Sequence, residues 1–447
     1  MGFKGSFNRN YLRMKKIFLL GTLTLFFVGF LFAENYYVDA VNGSDSRLGT
    51  SPEEAWKTVD KVNGTTFSPG DVIHFRAGQV WRESLRCRSG AENMPLTYTS
   101  YGGGAKPLFL ASIDLCFENF WLYKGDNIWC VTPASFSTGR TPDYTDVGNI
   151  ILTKRGNTEK MAAWKRWSIK ELTQQADFYH DTENDLLYFY SEKNPALLYS
   201  EMEAAMKHNI FLMHGCEYLI IDGLTAAYTG AHGAQGSNTR NSIIRNCDFL
   251  WIGGSHLYTR NEKPTRYGNG IEFWGESRDN LVESCYFEQI YDVAMTNQGP
   301  DPCLVRNIVW RNNKIYRCEQ AYEFWLSNSE SRMQNVVFEN NECIDSGFGW
   351  SHEQRPDKSG THILAYAMES KEFDIHYRNN IFNNARIAMI RYYNTRLPEA
   401  DLNNNTYIQK AENCDKLPLF YWGNIRATWE EYREVTGNDK NSTFTCE

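Results

Sequence analysis

The sequence predicts an all-β protein whose fold is a right-handed parallel β-helix, and three observations support this prediction. An asparagine pair with an apolar residue two places on recurs at Asn312-Asn313, Asn340-Asn341, Asn379-Asn380 and Asn404-Asn405. Weaker copies begin at positions 246 and 284, so successive copies lie 25 to 39 residues apart, a spacing typical of repeat architectures. A short strand-like segment precedes the copies, and no repeat shows the 3.6-residue period of a helix.

The asparagines are expected to stand at one corner of every coil. There, each side-chain amide can bond the next amide or a turn carbonyl, which satisfies polar groups at a buried corner. The alternative is that asparagine pairs mark surface turns. Four double copies with the same apolar pattern favour the ladder.

Composition excludes several classes of protein. The chain has 447 residues, of which 42% are hydrophobic, enough for a sizeable core in a single solenoid. Its formal charge of −8 argues against a nucleic-acid partner. No zinc, phosphate-binding or dinucleotide-binding motif is present, so the sequence predicts no cofactor and no metal site.

Residues 1–33 read as a signal peptide whose true start is Met14. Lys15-Lys16 precede an apolar run that ends near Ala33, the expected cleavage residue. An uncleaved membrane anchor is the alternative. After cleavage no segment is expected to span a bilayer, so the protein is expected to be secreted, periplasmic or on the cell surface.

The chain contains eleven cysteines, an odd number for an exported protein. Cys247 and Cys285 occupy the same repeat position and are predicted to be small buried core residues. The sequence does not assign a disulfide among the others.

Residues 34–447 are predicted to form one β-helix domain with a capping element at each end. Residues 53–62 predict a short helix, begun by Ser51 and Pro52, that covers the open end of the solenoid. Residues 111–215 are interpreted as early coils with a decorated insertion, and a separate small β-module is the alternative. Residues 428–437 predict a helical tail that ends at Gly437.

The N-terminal segments carry a resemblance to a known superfamily. Tyr-Val-Asp at 37–39, Gly-Ser-Asp at 43–45, Gly-Thr-Ser at 49–51 and Pro-Gly-Asp-Val-Ile at 69–73 follow one another around the short helix. This order resembles the opening of secreted proteins of the pectate lyase-like superfamily, and the repeats at 240–408 resemble the same superfamily. The resemblance implies a right-handed β-helix. It leaves the reaction open, because the superfamily includes polysaccharide lyases, glycoside hydrolases and phage-type binding proteins.

Two glutamates are the first candidates for chemistry. Residues 270–274 and 321–325 align two coils apart, and strand alternation turns Glu272 and Glu323 outward together with Trp274 and Trp325. Two strand spacings separate the glutamates by roughly 10 Å at the backbone. Inverting glycosidases hold two carboxyl groups about 6.5–9.5 Å apart, and an exposed Trp suits the face of a sugar ring. The alternative is that both are ordinary solvated strand residues.

Two insertions strengthen the case for a site. Extra sequence at 255–267 and 351–357 falls near the same strand in coils three apart, so it is expected to wall a groove over Glu272, Met295 and Glu323. Further candidates lie in these insertions or beside them. His352 and Arg355 are candidate catalytic residues, and His256, Asp357 and His362 are candidate substrate-binding residues.

These observations leave three functions open. The first is a secreted glycoside hydrolase that acts on a polysaccharide or oligosaccharide with Glu272 and Glu323. The second is a lyase that cleaves a uronate polymer by β-elimination through His352 and Arg355, with Ca²⁺ as a cofactor in that case. The acidic candidates for calcium are Asp292, Asp301 and Glu319. The third is a non-catalytic glycan-binding β-helix, and the oligomeric state stays open.

Overall fold

The computed structural model describes residues 33–132, 146–414 and 419–447. The predicted signal peptide lies outside these ranges except for its last residue, Ala33. Within the described ranges no helix is both long enough and apolar enough to cross a membrane.

The main body is a right-handed parallel β-helix, as predicted. The strands of successive coils pair in parallel: Ile271–Glu283 pairs with Val293–Gly299, which pairs with Gln320–Leu326. These pairings build a 19-stranded sheet and a 10-stranded sheet. The last strand of the 19-stranded sheet, Ile425–Ala427, is an exception and pairs antiparallel with Phe420–Trp422. The side chains between them form a continuous hydrophobic core, in which Phe249 and Phe287 of neighbouring coils stack with ring centroids 5.0 Å apart.

The strands of the 19-stranded sheet are Asn35–Val38, Val72–Arg76, Leu85–Arg86, Leu96–Tyr101, Phe211–Leu212, Leu219–Asp222, Ala234–Arg240, Ile243–Arg245, Ile271–Glu283, Val293–Gly299, Leu304–Arg311, Gln320–Leu326, Arg332–Glu339, Thr361–Met368, Glu372–Arg378, Ala388–Tyr392, Asp401–Asn403, Phe420–Trp422 and Ile425–Ala427. Those of the 10-stranded sheet are Val80–Trp81, Leu108–Leu110, Thr225–Thr229, Asp248–Ile252, Tyr286–Ile290, Lys314–Tyr316, Glu342–Ser346, Ile381–Ala385, Thr406–Gln409 and Thr443–Cys446.

The asparagine ladder is confirmed. The first asparagine of each pair has φ between 54° and 57°, in the left-handed region that asparagine tolerates at a corner. The second asparagine is buried, and its side-chain oxygen accepts a hydrogen bond from the preceding coil. The backbone N–H of Asn341 donates to Asn380 Oδ1 at 2.9 Å, and that of Asn380 donates to Asn405 Oδ1 at 3.0 Å. The side-chain amide of Asn341 also donates to the carbonyl of Trp310 at 2.9 Å.

Cysteines continue the ladder toward the N-terminus. Cys247 and Cys285 are buried at the ladder position, and the backbone N–H of Cys285 donates to Asn313 Oδ1 at 2.9 Å. The prediction that they are core residues is therefore confirmed. A disulfide joins Cys414 to Cys446, and the nine other cysteines are free thiols.

The N-terminal helix is shorter than predicted and begins later, at Val59–Asn63. Thr58 caps it by accepting a hydrogen bond from the backbone N–H of Lys61 at 3.0 Å. The prediction of a helix from residue 53 is wrong, because Trp56 forms a parallel bridge with Val38 and enters the core, which keeps that segment extended.

The other helical segments are short. The C-terminal helix is Trp429–Thr436, with a capping box between Thr428 and Glu431 and with Gly437 at φ 68° after its last turn. Within the described residues, the remaining α-helices are Pro195–Leu198, Ser351–Gln354 and Ala411–Cys414, and the 3-10 helices are Glu118–Phe120, Ile169–Glu171 and Leu397–Glu399.

Residues 112–132 and 146–206 form a mostly antiparallel β-module, the alternative that the sequence left open. Its own hydrophobic cluster contains Phe178, Phe189 and Met202. A second cluster, in which Ile151 of the module meets Trp251 of a coil, joins it to the β-helix, and residues 33–447 form one compact unit. The described strands of the module are Ser112–Asp114, Leu122–Gly125, Ile128–Val131, Val147–Lys154, Lys160–Ala162, Trp164–Lys165, Asp177–Asp181, Leu186–Tyr190 and Tyr199–Met206.

Candidate active site: a carboxylate-lined cleft across seven strands

A cleft with a volume of about 840 Å³ runs along the 19-stranded sheet. This volume falls within the range of roughly 300–1,000 Å³ that is usual for ligand sites. Its floor is formed by residues on or beside seven successive paired strands: Phe211–Leu212, Ala234–Arg240, Ile271–Glu283, Val293–Gly299, Gln320–Leu326, Thr361–Met368 and Ala388–Tyr392.

The two predicted glutamates both line this cleft. Glu272 is opposite Thr296, and Thr296 is opposite Glu323, so the glutamates are two strands apart, or about 10 Å at the backbone. The residue between them is Thr296, whereas Met295 is fully buried in the core. The prediction of Met295 on the floor is therefore wrong by one residue, because alternation turns Met295 inward.

Glu272 is fixed by three neighbours. Its Oε1 accepts a hydrogen bond from Gln235 Nε2 at 2.7 Å, and its Oε2 accepts one from Asn269 Nδ2 at 2.9 Å. His232 Nε2 lies 3.6 Å from Oε1. Both carboxyl oxygens therefore have defined directions at the floor of the cleft.

Glu323 is buried in a different environment. Its Oε1 accepts hydrogen bonds from Gln298 Nε2 at 2.8 Å and from the Tyr366 hydroxyl at 3.3 Å. Burial raises the pKa of Glu323 well above its usual range, and the negative charge of Asp292 raises it further. A carboxyl group with a raised pKa keeps its proton to a higher pH than an ordinary glutamate does, and it can donate that proton.

Asp292 is a third carboxyl group of the cleft, and the sequence suggested it only as a calcium candidate. It directly precedes the strand Val293–Gly299, and Arg355 Nη1 lies 3.0 Å from its Oδ1. Burial raises the pKa of Asp292, although Arg355 opposes the shift. The equivalent position of the next coil, Glu319, is also acidic. This repetition in the sequence could have identified Asp292 as a candidate site residue.

Within the described ranges no three His, Cys, Asp or Glu side chains are grouped to hold a metal ion.

Arg355 lines the cleft, but its guanidinium is engaged by the protein. Nε and Nη2 donate to the two carboxyl oxygens of Asp357 at 3.0 and 3.1 Å, a bidentate pair. Nη1 donates to the Tyr291 carbonyl at 2.9 Å as well as to Asp292. Arg355 therefore positions Asp292 and Asp357, and most of its N–H groups are not free to clamp a substrate carboxylate.

His352 does not line the cleft, so the structure does not bring this predicted catalytic residue together with the two glutamates. It is buried, and its Nδ1 lies 3.0 Å from Glu319 Oε2. Glu319 also accepts the backbone N–H groups of Ser359 and Gly360, each at 2.8 Å. Burial acts to raise the pKa of Glu319, but His352 and Arg355 outweigh it and the pKa is lowered. This pair holds the loop at 351–360 in place.

His256 and His362 are also not at the predicted position, since neither lines the cleft. His362 is fully buried, and this burial lowers its pKa to about 3. Its Nδ1 lies 2.8 Å from Ser346 Oγ, and its ring contacts Phe382. His256 belongs to the hairpin of strands Ser255–Arg260 and Lys263–Tyr267. Its backbone N–H donates to Asp146 of the module at 2.6 Å, and its ring packs edge-on against Trp167.

The two insertions form walls of the cleft, as predicted. Leu257, Tyr258 and Tyr267 of the hairpin face the cleft, as do Arg355 and Asp357 of the other loop. The walls are tied together because Gln354 Oε1 accepts a hydrogen bond from Arg266 at 3.1 Å. Gln354 Nε2 in turn donates to the carbonyl of Ala163 in the module at 2.9 Å.

The predicted tryptophans both line the cleft. Trp274 and Trp325 meet edge to face with ring centroids 5.5 Å apart. Aromatic surface therefore lies next to both glutamates on the floor, where a sugar ring can stack.

Comparisons with known proteins identify several proteins with low similarity to this chain. No family model matches the chain. A curated lacto-N-biosidase of Bifidobacterium longum subsp. longum is 31% identical over 72 residues, which cover 15% of this chain and 4% of that protein. The chain thus spans a small fraction of the curated relative that it matches.

Among solved structures, "The complex structure of XylC with xylose" has a TM-score of 0.45 and 14% identity, covering 84% of this chain and 69% of that one. The GH136 lacto-N-biosidase from Eubacterium ramulus has a TM-score of 0.38 and 12% identity, covering 93% and 67%. The polygalacturonase from Erwinia carotovora ssp. carotovora has a TM-score of 0.40 and 9% identity, covering 92% and 97%. At these identities the likenesses assign no activity.

Proposed function

We propose that the protein is an exported glycoside hydrolase that cleaves a polysaccharide or oligosaccharide in the carboxylate-lined cleft. The observation that carries the proposal is the buried carboxyl group of Glu323, whose pKa is raised well above its usual range and which faces the same cleft as Glu272. Two carboxyl groups in different environments are the usual catalytic groups of glycoside hydrolases.

Each glutamate has one role in this proposal. Glu323 donates its proton to the glycosidic oxygen as the bond to the anomeric carbon breaks. Glu272 accepts a proton from water as that water attacks the anomeric carbon from the opposite face. The two-strand separation of about 10 Å at the backbone favours this inverting arrangement over direct attack by Glu272, which requires carboxyl groups about 5–5.5 Å apart.

The lyase alternative receives less support from the same geometry. Its two residues were His352 and Arg355. His352 is buried against Glu319, and the guanidinium of Arg355 already binds two aspartates and a carbonyl. Neither group is free to neutralise a uronate or to remove its proton.

The test is a screen of purified protein against neutral and uronate-containing polysaccharides, with two readouts for each. Hydrolysis produces new reducing ends without ultraviolet-absorbing unsaturated products, and this is the expected result. Unsaturated products would instead indicate a lyase. Binding without either product would indicate a glycan-binding protein, and both of these results contradict the proposal.

A further inference from the structure

The cleft has two arms of different chemistry on either side of the glutamates. On the N-terminal side, the two strands before that of Glu272 contribute polar side chains: Asn209, His214, Gln235 and Ser237. On the C-terminal side, the two strands after that of Glu323 contribute Leu364, Tyr366 and Tyr393. Each arm therefore extends about 10 Å beyond a glutamate along the coil axis.

The C-terminal arm presents a continuous aromatic row. Tyr366 lies beside Trp325, with ring centroids 6.0 Å apart and planes 27° from parallel. Tyr393 lies 6.5 Å from Tyr366 at 90°. The row starts at the proton donor, because the hydroxyl of Tyr366 donates to Glu323 Oε1 at 3.3 Å.

Tyr393 is exposed but is held in place. Its side chain is 53% exposed, while the guanidinium of Arg391 lies 4.3 Å from its ring centroid. A cation at this distance from a ring face is attracted to it, and it restricts the ring without covering both faces. An aromatic surface that is ordered before binding loses less freedom when a ligand stacks on it.

We propose that Tyr366 and Tyr393 form a binding platform for additional sugar units of the chain that is cleaved at Glu323, a role that rests on the proposed function. The ligand is a glycan of several units whose rings present an apolar face. A chain that reaches from Glu323 to Tyr393 crosses two strand spacings, about 10 Å, so a short substrate leaves the platform unused. Binding energy is therefore expected to grow with chain length.

The experiment measures binding of xylo-, cello- and galacto-oligosaccharides, from disaccharide to hexasaccharide, by calorimetry. All proteins carry Glu323→Gln so that no ligand is cleaved. In the background protein, affinity for at least one series is expected to rise with length. Tyr393→Ala is expected to weaken binding of the longer members about tenfold and to leave the disaccharide unchanged.

Two controls keep the result specific. Tyr393→Phe keeps the ring and is expected to bind like the background protein. Tyr123→Ala removes an equally exposed tyrosine, 58% exposed in the module and away from the cleft, and is expected to change nothing. Equal thermal midpoints of the variants exclude misfolding as the cause.

The outcomes separate the platform from the proposed function. Length-dependent binding that Tyr393→Ala abolishes supports the platform even if the wild-type protein hydrolyses nothing. Hydrolysis by the wild type, combined with equal binding of long and short ligands, would overturn the platform and leave the proposed function intact. No binding of any of the three series would also overturn the platform.

Discussion

Glu323→Gln is the substitution that most directly separates catalysis from folding. The amide of glutamine keeps the shape of the side chain, and its oxygen can still accept the hydrogen bond from Gln298. It cannot transfer a proton to the glycosidic oxygen. General acid catalysis typically contributes a factor of about 10²–10⁴ to the rate. The substitution is therefore expected to lower kcat/KM by that factor, a loss of roughly 3–5 kcal/mol in transition-state stabilisation, with little change in KM.

The raised pKa of Glu323 gives this prediction a second readout. The acid must be protonated, so wild-type kcat/KM is expected to fall as pH rises through that pKa. The pH dependence of folding stability also includes a contribution from Glu323. The native state holds this proton at a pH where the unfolded chain has lost it, so the free energy of unfolding decreases as pH rises from the usual glutamate pKa to the raised one. Glu323→Gln is expected to lack that contribution.

The assay is initial-rate kinetics across pH, with denaturant unfolding of the same proteins at each pH. Glu342→Gln is the matched control, because Glu342 is a partly exposed glutamate on the 10-stranded sheet, paired with Lys314 at 3.0 Å. Loss of such a surface pair costs about 0–1 kcal/mol, and activity should not change. If Glu323→Gln keeps wild-type kcat/KM and the same alkaline limb, the proton donor is another group.

Three further predictions concern binding and the supports of the site. Trp325→Ala is expected to raise KM about tenfold with a smaller effect on kcat, since it removes a stacking surface; steady-state kinetics would contradict this if kcat alone fell. Asn341→Ala is expected to lower the free energy of unfolding by about 3 kcal/mol, because it removes the buried side-chain hydrogen bonds to Asn313, Asn380 and the Trp310 carbonyl; an unchanged denaturation midpoint refutes the ladder's role in stability. His352→Ala is expected to lower the thermal midpoint by leaving Glu319 with one partner fewer, while folded enzyme loses less than about 100-fold in kcat; a larger loss of kcat would return His352 to the chemistry.

The sequence predicted those features that repeat with the coil. The asparagine pairs recur at one corner, and the strand alternation that turns Glu272 and Glu323 outward is local, so both could be read directly. A second corner ladder, in which Asn335 donates to Asn307 at 2.9 Å and Asn307 to Asp279 at 2.7 Å, escaped notice because its residues are single and of mixed type.

Features that depend on contacts between distant residues could not be predicted from the sequence. The strand between those of the two glutamates has no acidic residue that could be aligned with Glu272 and Glu323. The sequence alignment of the coils therefore placed Met295 on the floor of the cleft, at the position that Thr296 occupies. His352 lies in polar sequence, and its burial depends on a contact with the distant Glu319. The position of His362 is set by Ser346 and Phe382, which are also distant in the chain. The sequence left the module only as an alternative to early coils, because its edge strand Ser112–Asp114 pairs with residues about 90 positions later in the chain.

Proton NMR of the first products from an active polysaccharide tests the central claim most directly, since one spectrum reports both bond chemistry and stereochemistry. The acid–base roles of Glu323 and Glu272 predict a new hemiacetal whose anomeric configuration is inverted, no olefinic proton, and formation of this product slowed about 10²–10⁴-fold by Glu323→Gln. A retained anomer would contradict the role of Glu272 in activating water. An olefinic signal would contradict hydrolysis altogether.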